Sequence, residues 1–207
     1  MKYFFSVAVA LLAAASIFAQ TPDEILALMD RETSRFETEG FSMVMDIKVP
    51  VFGTFSTYVQ SHGDKYKLSS NMRGEITVNW SDGLNDWEYD EARNEIVIST
   101  AGAILEDSTT GNLQMFNSVT SGYDFQLKSE TADAWFFRCT KCRSNKRKDM
   151  PRSLDLVVSK STFLPVSVKA NEKGAVFTLR DFVVGVSEEE ITFNPAAYPK
   201  AIVVDKR

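Results

Sequence analysis

The chain has 207 residues, 44% of them hydrophobic, 12% aromatic and 25% charged, a balance that supports a packed core and excludes a disordered tail. Its formal net charge of -5, from 28 acidic against 23 basic residues, disfavours a nucleic-acid partner. This length fits one domain, because all-β domains reach about 200 residues as single units.

Lys2 supplies one positive charge, Val7 to Ala15 is an unbroken apolar run, and Ile17-Phe18-Ala19 closes it with a small residue. This pattern predicts a signal peptide over residues 1–19, cut after Ala19, and a single mature domain over 20–207. No Cys stands at the junction, so lipid attachment there is not indicated. A soluble periplasmic protein is expected, and no second apolar stretch is long enough for a helical membrane span.

Thr21-Pro22-Asp23-Glu24 combines a capping Thr, a Pro in the first turn and a Glu three residues on, which predicts a helix start. Ile25, Leu28, Met29 and Phe36 follow at near-helical spacing until Gly40, giving one amphipathic helix. From Phe41 the period changes to two, with Phe41, Met43, Met45 and Ile47 on one side of a half-buried strand. Turn residues then divide further strands: Thr54 to Gln60, Lys65 to Ser70, Glu75 to Trp80, Asp86 to Tyr89 and Glu95 to Ser99. Ala101 to Val119 lacks alternation and reads as loop with one or two short helices. Strands resume at Tyr123 to Lys128, Ala134 to Cys139, Ser153 to Ser159, Pro165 to Ala170, Ala175 to Val184 and Ile191 to Phe193. With no helices between most strands, the expectation is mainly antiparallel β with a few helices, as a large curved sheet or barrel.

Cys139 and Cys142 are the only cysteines, spaced C-x-x-C, and in an oxidising compartment they could form a local disulfide, stay as spare thiols or cycle. The Phe136-Phe137-Arg138 run before them reads as a strand, not the helix N-terminus a thioredoxin-like site needs. The sole His62 is too isolated to complete a metal site, and neither a metal nor a cofactor is indicated. No G-x-S-x-G motif occurs, and Asp82, Asp86 and Glu88 read as turn and surface residues, so an enzyme is not indicated. Lys141, Arg143, Lys146, Arg147, Lys148 and Arg152 form one basic run in an acidic chain, either a solvated loop or a surface for an acidic protein or anionic headgroups.

The apolar mass stands out, with 15 Phe, 6 Tyr, 3 Trp and 7 Met. A curved sheet with a concave apolar face can hold an acyl chain, and Met43 and Met45 beside Phe41 suit ligands of several shapes because thioether chains repack easily. The candidate lining is Phe41, Met43, Met45, Phe55, Tyr66, Trp80, Trp87, Tyr89, Phe116, Trp135 and Phe137.

The export signal, the opening helix, Ser81-Asp82-Gly83 before Asp86-Trp87-Glu88-Tyr89, Ser161-Thr162-Phe163-Leu164-Pro165, Lys173-Gly174 with Phe177-Thr178-Leu179, and Ile191 to Pro195 with Val203 to Arg207 together carry a likeness. In their order and spacing they resemble the LolA family of periplasmic outer-membrane lipoprotein carriers. The resemblance implies an incomplete antiparallel barrel covered by a helical lid, and a monomer that takes acyl chains from an inner-membrane lipoprotein-release complex to an outer-membrane acceptor. It implies no catalysis. It also places His62 and Tyr66 where the family has an Arg that latches the lid and, four residues on, a Phe. The alternatives from other classes are a lipoprotein-sensing or protein-interaction module of the same fold, and, third, a hydrolytic enzyme.

Overall fold

The structure, a computed structural model, describes residues 20–72, 74–101, 122–146, 150–172 and 175–207, with the side chains of 171 and 172 outside that description. Residues 1–19, Phe116 and the helices expected between Ala101 and Val119 therefore lie outside the described residues, as do Arg147 and Lys148.

Helix α1 spans Pro22–Thr33. At its start the Glu24 backbone N–H donates to Thr21 Oγ1 at 3.3 Å, and the Thr21 N–H donates back to the Glu24 carboxylate at 2.8 Å. The single helix expected up to Gly40 is in fact two, because Thr33 Oγ1 donates to the Met29 carbonyl and Ser34 Oγ to the Arg31 carbonyl, which competes with the helical ladder. A short second helix, α2, takes up Arg35–Glu39.

The rest is β. Strands β1 to β6 are Phe41–Val49, Gly53–His62, Lys65–Met72, Glu75–Ser81, Asn85–Asp90 and Glu95–Thr100. Strands β7 to β11 are Tyr123–Glu130, Ala134–Lys141, Ser153–Ser159, Pro165–Glu172 and Ala175–Val184. A short helix α3 at Glu188–Ile191, a 3-10 turn at Pro195–Ala197 and strand β12 at Ile202–Asp205 complete the chain. The expected strand at Ile191 to Phe193 is a correction: Ser187 and Glu190 form a second capping box, which makes Glu188–Ile191 helical and leaves Thr192 and Phe193 outside any strand.

All twelve strands form one unclosed sheet in the order β12-β6-β5-β4-β3-β2-β1-β11-β10-β9-β8-β7. Neighbours are antiparallel throughout except β12, which runs parallel to β6, so the expectation of antiparallel neighbours fails only there. Parallel pairing requires a crossover, and here the crossover is the segment after β11. It begins as the Gly185 and Val186 N–H groups donate to the carbonyls of Gly40 and Glu39, at 3.0 Å each. His62 Nδ1 then donates to the Val186 carbonyl at 2.7 Å, and Lys65 pairs with Glu188. Beyond α3 the chain passes over the sheet to its far edge, where the Ile202 N–H donates to the Asn94 carbonyl.

Gly40 sits at the junction of α2, β1 and the crossover, with φ 71° and ψ 166°, a region that only glycine occupies readily. An added Cβ would run into the Val186 carbonyl oxygen and lie 2.8 Å from that of Ser61. Gly40→Ala should therefore cost about 3 kcal/mol or more in chemical denaturation. Gly53→Ala, at φ 97° with nothing within 4 Å of the new methyl, should cost only about 1–2 kcal/mol.

Candidate functional site

Side chains directly opposite on paired strands share a face, so the register assigns every strand residue to one side of the sheet. Met43 and Met45 lie opposite Val59 and Thr57 on β2, Val59 lies opposite Leu68 on β3, and Met45 faces Leu179 on β11. The same face continues through Val168, Leu156 and Phe137 to Leu127 at the far edge. Ile25, Met29 and Phe36 from α1 and α2 are buried in the same cluster, so the helices define this as the inner face. Among the described residues, the side-chain hydrogen bonds and ion pairs of α1 and α2 stay within the helical segment, as in Arg35 with Glu32 and Glu39. Among the described residues, apolar contact alone joins the α1 side chains to the sheet.

Of the candidate lining residues, Phe41, Met43, Met45, Phe55, Tyr66, Trp135 and Phe137 share the inner face. Trp80, Trp87 and Tyr89 do not, which corrects the sequence-based grouping. Trp80 lies opposite Lys67 and Trp87, and Tyr89 opposite Val78, all on the outer face. There the crossover covers them: Trp87 stacks on Phe193 at 5.2 Å, Trp80 meets Phe193 and Tyr198 edge-on, and Tyr89 lies 4.5 Å from Tyr198. These aromatics form a second small core on the opposite side of the sheet.

Consequently the inner face of β4 and β5 carries the alternate residues, which are polar: Thr77, Asn79, Ser81, Asp86, Glu88 and Asp90. Asp86 is 0% exposed, and the Tyr66 hydroxyl donates to its carboxylate at 3.4 Å. Burial, and then the charge of Asp86, push the Tyr66 phenol above its ordinary value, so it stays a donor. Asn79 Oδ1 is buried without a hydrogen-bond partner among the described residues. Arg93 closes the far end, 2.8 Å from Asp90 and 3.9 to 4.0 Å from Glu95 and Glu88. Asp82, Asp86 and Glu88, read from sequence as turn and surface residues, thus divide: Asp82 caps the β4–β5 turn, while Asp86 is the buried acid. Strict alternation in Thr77-Val78-Asn79-Trp80-Ser81 was the sequence signal for this split.

His62, the position the resemblance marks for a lid latch, donates from Nδ1 to the Val186 carbonyl and so holds the crossover. Cys139 and Cys142 are both free thiols, one of the alternatives that the sequence left open. An odd separation along an extended chain directs them to opposite sides. Cys139 is buried in the inner core, while Cys142 donates to the Asp124 carboxylate at 3.4 Å. Among the described residues no three His, Cys, Asp or Glu side chains gather as a metal site, and no helix is long and apolar enough to cross a membrane.

No protein-family model matches the sequence, and no curated protein does. Solved structures similar to this chain include an uncharacterized conserved protein from Thermus thermophilus, with 16% identity, TM-score 0.48, and 87% of this chain and 98% of that chain covered. They also include MucB in complex with MucA, with 14% identity, TM-score 0.38, and 81% and 59% covered. A LolA superfamily protein from Nitrosomonas europaea aligns at 16% identity and TM-score 0.36, with 86% and 100% covered.

The two thiols should separate chemically. Burial pushes Cys139 up to about 12, whereas partial burial and then Asp124 raise Cys142. Alkylation at pH 8 should therefore modify Cys142 first and reach Cys139 only on unfolding. Asp124→Asn, which removes the carboxylate that holds the Cys142 proton, should accelerate the Cys142 reaction severalfold by peptide mass mapping.

Proposed function

We propose that this protein is an exported carrier that binds amphiphiles, lipoproteins foremost, with their acyl chains on the inner face of the sheet beneath α1. The observation that carries this reading is the grading of that face. One continuous surface runs from Leu156, Val168 and Leu179 through Met45, Met43 and Val59 to Asn79, Ser81 and Asp86. Acyl chains lower their free energy on the apolar part by about 0.8 kcal/mol per methylene, and the polar part offers hydrogen bonds to an ester or amide head. Met43 and Met45 sit in the middle, where unbranched side chains adapt to chains of different length.

In the state described here α1 occupies that surface, with Ile25 0% and Met29 2% exposed. Because, among the described residues, only apolar contact holds the α1 side chains to the sheet, an acyl chain is a chemically equivalent competitor. Ser34 separates α1 from α2, and bending there would let α1 swing without disturbing the backbone bonds that fix Glu39 and Gly40 to the crossover. Ligand entry is then exchange of one apolar occupant for another. This supports the carrier reading, with handover to membrane-bound partners as its final step.

Competition makes a directional prediction. Met29→Ala removes buried contact from α1 and weakens its docking by about 2 kcal/mol or more. If α1 competes with ligand, the variant should bind a synthetic diacyl lipopeptide at least tenfold more tightly, by native mass spectrometry or a displaced fluorescent acyl probe, though its thermal stability falls. Unchanged or weaker affinity would remove α1 from the mechanism. A wild-type protein that takes up no lipopeptide would overturn the carrier reading and favour the sensing module.

A further inference from the structure

Two neighbouring hairpin tips at one end of the sheet leave apolar side chains in water. Between β1 and β2, whose pairing closes at Val49 opposite Gly53, Val51 is 102% exposed and Phe52 63%. Between β3 and β4, closed by Met72 opposite Glu75, Met72 is 52% exposed. Strands β2 and β3 are adjacent, so these tips stand about 10 Å apart. Counting the antiparallel neighbours from β1 through β11, β10 and β9, strand β8 runs in the same direction as β1. The β8–β9 loop therefore emerges at this same end, bringing exposed Arg143 and Lys146, while exposed Lys48 flanks the first tip.

Neither the apolar nor the basic groups are spent within the fold. Val51 has φ 72°, following Pro50, a left-handed position that Gly or Asn normally fills and that strains a β-branched side chain. That strained side chain packs on nothing, so folding alone would favour Gly there. Lys48, Arg143 and Lys146 form no ion pair among the described residues, and Lys146 donates only to the Arg143 carbonyl. Among the described residues of these three tips the acid is Glu75; the neighbouring β5–β6 turn at the same end adds exposed Glu91 together with Asp90 and Glu95, which pair with Arg93, while the opposite end of the sheet carries Glu188, Glu189 and Glu190.

We propose that this rim is a docking surface for an anionic lipid bilayer, with Val51, Phe52 and Met72 entering the headgroup boundary and Lys48, Arg143 and Lys146 meeting the lipid phosphates. Three separated tips do not make a continuous apolar patch of the kind a folded partner covers, but they suit a planar, deformable surface. Neither signal suffices alone, since shallow apolar insertion is weak and basic groups act only near a negative surface. An overall net charge of -5 does not oppose this, because the acidic groups of α3 would face away from the membrane.

Flotation of the whole mature chain with phosphatidylcholine vesicles, with and without phosphatidylglycerol, tests the proposal. Binding should require phosphatidylglycerol and weaken at high salt. V51G/F52S should lower the partition about tenfold without lowering the thermal unfolding temperature, because Gly relieves the strained turn. R143E/K146E should lower it at least as much. No binding, equal binding to both vesicle types, or an unaltered V51G/F52S partition would each overturn the proposal. Lipopeptide uptake without vesicles should be the same in V51G/F52S as in the wild type, so the rim and the acyl-binding reading fail or stand separately.

Discussion

An unclosed sheet exposes two faces, and each stretch of apolar residues needs another part of the chain to cover it. In this protein the cover changes sides between β3 and β4. From β7 round to β3 the apolar residues point inward, under α1 and α2, as with Phe137, Leu156, Val168 and Met45. From β4 to β6 they point outward, where Phe193 and Tyr198 of the crossover receive Trp80, Trp87 and Tyr89. Much else follows from that switch. It explains why the chain spends a segment without strand structure on crossing the sheet, why β12 must run parallel to β6, and why the inner face acquires a polar end. Gly40, His62 and Lys65 matter because they fasten the start of that crossing.

The strands were largely legible in the sequence because each has strong alternation and is bounded by turn residues. Phe41 to Ile47 and Ala175 to Val184 appear where their patterns put them. Less legible was which side of the sheet each apolar set would use. Alternation in Asp86-Trp87-Glu88-Tyr89-Asp90 separates Trp87 and Tyr89 from the acids, but it is symmetrical with respect to the two faces. Only the covering element breaks that symmetry, and it lies more than a hundred residues away in sequence. Ile191 to Phe193 was misread for a local reason. Its apolar residues suggested a strand, whereas Ser187 and Glu190 carry the same capping pattern that Thr21 and Glu24 display at the first helix. The C-x-x-C spacing was likewise ambiguous until the extended backbone sent Cys139 inward and left Cys142 with Asp124.

Buried polar groups on the inner face bear on what that face can hold. A purely apolar floor would bind any hydrocarbon, but Asp86 and Tyr66 are locked together out of water and Asn79 Oδ1 lacks a partner among the described residues. Desolvating such groups costs about 1–3 kcal/mol each unless they are hydrogen-bonded. A ligand that presents a donor near Asn79 recovers that cost, and a bare alkane does not. If the proposed carrier reading holds, this geometry would discriminate between amphiphiles and plain hydrocarbon, because it leaves a polar requirement unmet at one end of an apolar surface.

In the proposed carrier, affinity and release would follow from the same surface. Burial of Ile25 and Met29 contributes about 3–6 kcal/mol to holding α1 down, while one acyl chain of about sixteen carbons would gain on the order of 10 kcal/mol. On the proposed exchange the chain would win, yet its net advantage would be smaller than its full transfer energy by the amount α1 gives up. A second acyl chain would add more burial without displacing a second helix, so the proposed exchange would favour diacyl over monoacyl ligands because the cover is lost only once. In the proposed carrier, release would run the same exchange backwards: whatever receives the acyl chains would not have to overcome the whole hydrophobic term, because α1 would return to the vacated surface and restore part of it.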